Sequence, residues 1–170
     1  MPVSRVSRLI MAAAVPIVML LASCSTPPTM AFSVEGRSVS QAQIDTETDG
    51  CVQASGQERV SLRPRVALWE LRGAVADQII ADKNLTIRAA DVAAVVADAG
   101  LSQWLTDSEC AQAVNAAARF DQVVSMLGSA EVIALAQQMD VVVSPIYGQW
   151  NPDKVAYSGT SGSLSSAHSS

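Results

Sequence analysis

The longest regular pattern in the chain is helical. Leu62, Val66, Trp69, Gly73, Ala76 and Ile80 recur every three or four residues, and Leu68, Leu71, Val75 and Ile79 widen the stripe beyond one narrow face. The spacing predicts a mostly buried helix, with Pro64 in its first turn and Asn84 as the left-handed residue that closes it. Val92, Val95 and Val96 repeat the period behind Thr86, a candidate cap, and the pattern stops at Gly100. Thr106 and Glu109 have capping-box spacing ahead of a longer helix, whose apolar positions are Ala113, Ala117, Phe120, Val124 and Leu127 and whose end is Gly128. Ser129 opens a last short helix running through Met139.

Two segments follow a different period. Ala31-Phe32-Ser33-Val34-Glu35-Gly36-Arg37 alternates apolar and polar residues up to a glycine turn, which predicts a short strand, and Ser40 then caps a helix. Val141-Val142-Val143 is β-branched and bounded by Ser144-Pro145, which predicts a second strand. Isolated strands at opposite ends of a helical chain need a partner, and the economical arrangement pairs them with each other. The expected fold is therefore mainly α: a helical domain with a small two-stranded sheet pairing the N-terminal and C-terminal strands.

Ahead of this region, Leu9 to Ala22 is a continuous apolar run preceded by Arg5 and Arg8. It is shorter than the roughly 20 residues a spanning helix needs, and it has the charge order of a secretory signal. The run closes on Leu21-Ala22-Ser23-Cys24, where a bacterial lipoprotein signal peptidase would leave Cys24 as the first residue. The Cys24 thiol is the one side chain there able to become a diacylglyceryl thioether, and two or three acyl chains hold a protein on a bilayer where one does so only marginally. The resulting division is a signal peptide over 1–23, a proline-bearing linker over 24–30 and a folded domain over 31–157. A Ser/Gly-rich tail over 158–170 has the composition of a disordered segment. The mature chain is expected at the extracytoplasmic face of the cell membrane.

Removing residues 1–23 leaves 9 basic and 16 acidic residues, a net charge of −7, which excludes nucleic acid as a natural partner. The remaining 147 residues suffice for one core. With Cys24 lipidated, Cys51 and Cys110 are left as a pair in an oxidising compartment, where a disulfide is the favoured state.

Catalytic and metal-binding arrangements fail on inventory. The single histidine, His168, lies in the tail, and Gly159-Thr160-Ser161-Gly162 starts like a nucleophile elbow but continues with Ser163 and follows no strand. No phosphate loop is present, and no set of zinc ligands remains once the cysteines are used, so neither cofactor nor metal is expected. Asp45-x-Glu47-x-Asp49-Gly50 copies the opening of a calcium loop, but its twelfth position is Gly56 rather than glutamate, which favours an exposed acidic helix face or helix end. Arg59, Arg63, Arg65 and Arg72 cluster around a helix start, either as a solvated face or as a contact for anionic headgroups.

Three segments resemble a known family. Ala31 through Ser40, with Ile44-Asp45, resembles the opening strand and helix of the SurA N-terminal chaperone domain, with its V-x-G-x-x-[IV]-[ST] pattern. Val75-Ala76-Asp77-Gln78-Ile79-Ile80, followed by Leu85-Thr86-Ile87 and Asp91-Val92, is similar to that family's second helix and the turn into its third. Asp140 through Trp150 resembles the closing strand of lipid-anchored SurA-like proteins of actinobacteria and their N-P-R-Y-G-x-W run, with Ser144 and Ile146 standing where those proteins tend to have Asn and Arg. The resemblance implies a helical domain whose first and last strands pair, and a holdase-like role. The chain lacks both the length and the histidines for the parvulin prolyl-isomerase domain of full-length relatives.

The function this implies is a non-enzymatic, lipid-anchored chaperone or peptide-binding module that takes unfolded or secreted segments in an apolar groove. Trp69, Trp104, Phe120, Met126 and Met139 are the candidate client contacts, since aromatic and methionine side chains suit promiscuous surfaces as well as cores. Beside it stand an envelope adaptor or assembly factor that binds one folded partner, and a small enzyme built on an acid cluster. Oligomeric state is not legible in the residues.

Overall fold

In the computed structural model of this chain the described residues are 29–158. The signal segment, Cys24, His168 and Gly159-Thr160-Ser161-Gly162 lie outside the described residues. Met30–Val34 (β1) and Arg37–Ser40 (β2) form a hairpin on the two-residue turn Glu35-Gly36, whose φ angles are both positive, 48° and 76°. Positive φ at both positions is what a type I′ turn requires, and glycine accepts it at the second without a Cβ clash. Val141–Val143 (β3) pairs antiparallel with the other edge of β1, with Phe32 opposite Val143 and Val34 opposite Val141.

The expected pairing of the strand at Ala31 with the strand at Val141 is therefore present, but β1 is the middle of three strands, in the order β2-β1-β3. The segment after Gly36 turns back along β1 before entering the helix, which satisfies a second row of β1 backbone groups. Gln149–Asn151 (β4) and Ala156–Ser158 (β5) form a separate antiparallel pair that the sequence reading lacked. Among the described residues the first strand begins at Met30 and the last ends at Ser158.

Gln41–Ser55 (α1) is capped by Ser40, whose hydroxyl accepts from the Gln43 N–H at 3.0 Å. Arg59–Lys83 (α2) ends at Asn84 in the left-handed conformation, as expected. Pro64, however, is its sixth residue rather than part of the first turn, so it cannot donate to the Val60 carbonyl. No residue from Val66 through Ile80 is exposed, which is the physical content of the wide apolar stripe. Ala89–Asp98 (α3) starts after Arg88, without a side-chain cap, two residues beyond Thr86. Ser108–Leu127 (α4) is capped by Asp107, whose Oδ1 accepts from the N–H groups of Glu109 and Cys110. Thr106 instead closes the 3₁₀ turn Ser102–Thr106 by donating to the Gln103 carbonyl. Ser129–Ala136 (α5) opens at Ser129 as expected, after Gly128 as its cap residue, but stops short of Met139.

The core lies where α4 packs on α1, α2 and α3, with β1 against α2. Phe32, Ile44, Leu62, Leu71, Ile79, Val114 and Val123 are buried there, each worth about 1.5–3 kcal/mol relative to exposure. Gly73 lets α2 approach α4: a Cβ at that position would sit 2.5 Å from the Ala116 Cβ. Cys51 and Cys110 form the expected disulfide, S–S 2.07 Å with Cα atoms 4.6 Å apart, joining the last turns of α1 to the first turn of α4.

Candidate functional site

The start of α2 faces the loop that follows β3. Between them is an open cleft of about 440 Å³, lined by Arg59, Val60, Arg63, Pro64, Ile146, Tyr147 and Tyr157. Its lips are Val60, 76% exposed, and Ile146, 54% exposed. Apolar side chains of that size left in water are the feature to explain, because scattered small ones are normal and opposed pairs across a concavity are not.

The wall is aromatic. The Tyr147 and Tyr157 rings lie 5.6 Å apart between centroids at 53°, and the Tyr157 hydroxyl donates to the Pro64 carbonyl. That bond ties β5 to the Pro64 turn of α2. The Arg63 guanidinium lies over the Tyr147 ring, 5.3 Å from its centroid, and its Nε donates to Asp45 Oδ1 at 2.8 Å. Arg59 pairs with Asp45 at 2.9 Å and also with Asp49. The Arg63 hydrogen bond, aided by the charge of both arginines, holds the Asp45 carboxyl below its ordinary range. Burial pushes the Tyr157 phenol up to about 12 and raises that of Tyr147, so both rings are neutral at physiological pH. The cleft therefore offers apolar and aromatic faces beside two arginines balanced by two aspartates, and its volume lies within the ~300–1,000 Å³ of ligand pockets.

The five predicted client contacts do not converge on this cleft. Trp104 and Phe120 belong to the core, at 3% and 7% exposure. Trp69 is half-buried with its ring at 68° to Trp104, and Arg65 lies over both, 5.9 and 6.0 Å from their centroids. Met139 is half-buried against the core, while Met126 is exposed near the end of α4. Helical period alone cannot distinguish an aromatic that packs inward from one that faces solvent. The residues that do line the cleft had a weaker signal, namely that both of the chain's tyrosines, Tyr147 and Tyr157, fall within eleven residues of each other after the Val141-Val142-Val143 run.

The arginine cluster is neither a bare solvated face nor a free cationic patch. Arg59 and Arg63 neutralise aspartates, Arg65 covers tryptophans, and Arg72 lies 5.3 Å over the Phe120 ring and donates to the Val155 carbonyl at 3.2 Å. The acidic run Asp45-x-Glu47-x-Asp49 is inside α1, where residues two apart point to different sides of the helix and cannot encircle a cation. Asp45 and Asp49 share the outer face with the arginines, while Glu47, 1% exposed, is turned inward. Glu47 Oε1 accepts from Gln43 Nε2 at 2.9 Å, and Oε2 has no hydrogen-bond partner. Burial, then the charges of Glu70 and Glu109, pushes the Glu47 carboxyl up to about 7.

A second cleft of about 500 Å³ runs along the unpaired edge of β3, between Val141–Val143 and Trp150. It is the larger of the two, but it is a strand-side slot without an aromatic pair or opposed exposed lips, and the α2 cleft is the better-built site. Comparison of the chain with protein-family models, with curated proteins and with solved structures returns no match.

Proposed function

We propose that this chain is a lipid-anchored, non-enzymatic module of the SurA N-terminal type that holds apolar stretches of unfolded or secreted proteins at the extracytoplasmic face of the membrane. The observation that carries this reading is the α2 cleft, where Val60 and Ile146 stand exposed across a tyrosine wall while most other large apolar side chains of the described residues are covered. Apolar lips gain by covering with almost any nonpolar segment, at about 25 cal/mol per Å² removed from water, so the site needs no titrating group and no fixed sequence in its partner. The mainly helical fold, with β1 paired to β3, agrees with what the resemblance implies.

The test is suppression of aggregation of unfolded model proteins by the mature chain, alongside a Val60→Asp/Ile146→Asp variant checked for an unchanged circular dichroism spectrum. The expected result is stoichiometric protection that the double variant loses at least fivefold. Equal protection by both proteins places binding elsewhere. Saturable binding of one folded protein with no effect on aggregation replaces this reading with the adaptor.

A further inference from the structure

The cleft lies on the face from which the chain leaves toward Cys24. The Thr29 carbonyl accepts from the Gln41 N–H at 2.8 Å. The Gln41 side-chain amide donates to the Met30 carbonyl and accepts from Arg63 Nη2, each at 3.5 Å, and Arg63 is part of the cleft wall. One glutamine side chain thus separates the first described residues from the site. Cys24 is five residues before Thr29, a connection that spans at most about 18 Å when fully extended. A lipid on Cys24 therefore confines this face, more than any surface remote from Thr29, to the neighbourhood of the bilayer.

Two properties of the face suit a bilayer surface. Val60 and Ile146, at 76% and 54%, are the two most exposed large apolar side chains among the described residues, and both stand at the cleft's mouth. Their neighbours Arg59 and Arg63 are balanced by Asp45 and Asp49, so a chain carrying −7 past Cys24 presents a locally neutral face there. An anionic leaflet repels the rest of the molecule more than it repels this face.

We propose that the face formed by the start of α2 and the Ile146 loop rests on the bilayer, with Val60 and Ile146 seated in the headgroup layer. This rests on the lipidation of Cys24 in the reading above, and it gives the cleft a direction: its mouth opens at the lipid interface, so apolar segments enter it from the membrane side.

The experiment uses lipidated full-length mature protein in vesicles of phosphatidylcholine and phosphatidylglycerol. A polarity-sensitive fluorophore is placed on Val60→Cys, on Ile146→Cys and, as a remote control, on Ala97→Cys in the exposed face of α3. Nitroxide-bearing lipids are expected to quench the first two labels at least threefold more than the third, with a blue shift on vesicle binding. Protein that floats with the vesicles while all three labels are quenched equally overturns the seating and leaves the lipid anchor intact. Flotation of a Cys24→Ala variant to the same extent overturns the anchor itself, and the proposal with it.

Discussion

Replacing Glu47 with glutamine should stabilise the protein, by an amount that grows as pH rises from about 4.5 and levels off above about 7. Glu47 projects from α1 into the contact with α2 and α4, where Glu70 and Glu109 add negative charge and Gln43 supplies its one hydrogen bond. Its carboxyl titrates near 7 in the folded chain against an ordinary value of 4.5. A raised acid binds its proton more tightly in the native state than in the unfolded one, so its contribution is fully present below about 4.5 and is lost as pH rises through about 7. The difference corresponds to roughly 3 kcal/mol between pH 4 and pH 8. Glu47→Gln keeps the shape, removes the charge and offers an N–H₂ group where Oε2 has no partner. Urea denaturation with the disulfide intact, at pH 4 and pH 8, isolates the term as the difference between variant and parent. The expected gain is about 3 kcal/mol at pH 8 and under about 0.5 kcal/mol at pH 4. An equal effect at both pH values, or a loss at pH 8, would refute the account of a buried, charge-crowded carboxyl.

Reducing the Cys51–Cys110 bridge opens a loop of 59 residues in sequence separation, and on the chain-entropy model should cost about 4 kcal/mol, seen as a lower melting temperature with a cooperative transition retained. Non-reducing peptide mapping of the mature protein should recover the linked peptides, and two alkylatable thiols under oxidising conditions would contradict it. Gly73→Ala should destabilise by about 1–3 kcal/mol in chemical denaturation, because its methyl would lie within 2.5 Å of the Ala116 Cβ and neither α2 nor α4 can retreat without opening the core. Cys24→Ala should move the protein from the detergent phase to the aqueous phase on partitioning. A variant that stays with detergent would remove the lipoprotein reading.

The sequence by itself determined the features whose causes are local. Ser40 caps α1, Asn84 closes α2 in the left-handed conformation, and Gly128 ends α4, because each solves a problem of backbone geometry within one turn of where it stands. The buried middle of α2 was legible for a related reason, since a stripe that wide has no solvent face to offer. Boundaries that depend on competition between neighbours were not. Asp107 takes the cap of α4 from Thr106, and Pro64 falls in the second turn because α2 begins at Arg59, ahead of the first periodic apolar residue. Short strands of mixed composition, such as β2, β4 and β5, carry too few alternations to register, whereas the equally short β3 was legible because all three of its residues are valine.

Tertiary structure alone decided the site. Val60 and Pro64 reach Ile146, Tyr147 and Tyr157 across more than 80 residues of chain, and their meeting depends on β3 docking beside β1 and on β5 returning to Pro64 in α2. The same holds for inside and outside: Trp104 and Glu47 are buried while Val60 and Ile146 are not, although a residue-by-residue reading would place the tryptophan as readily on a binding surface and the glutamate on a solvated face. Local sequence specifies which faces of an element are apolar. Which of those faces finds a partner is a property of the packed whole, because burial belongs to pairs of surfaces and not to residues.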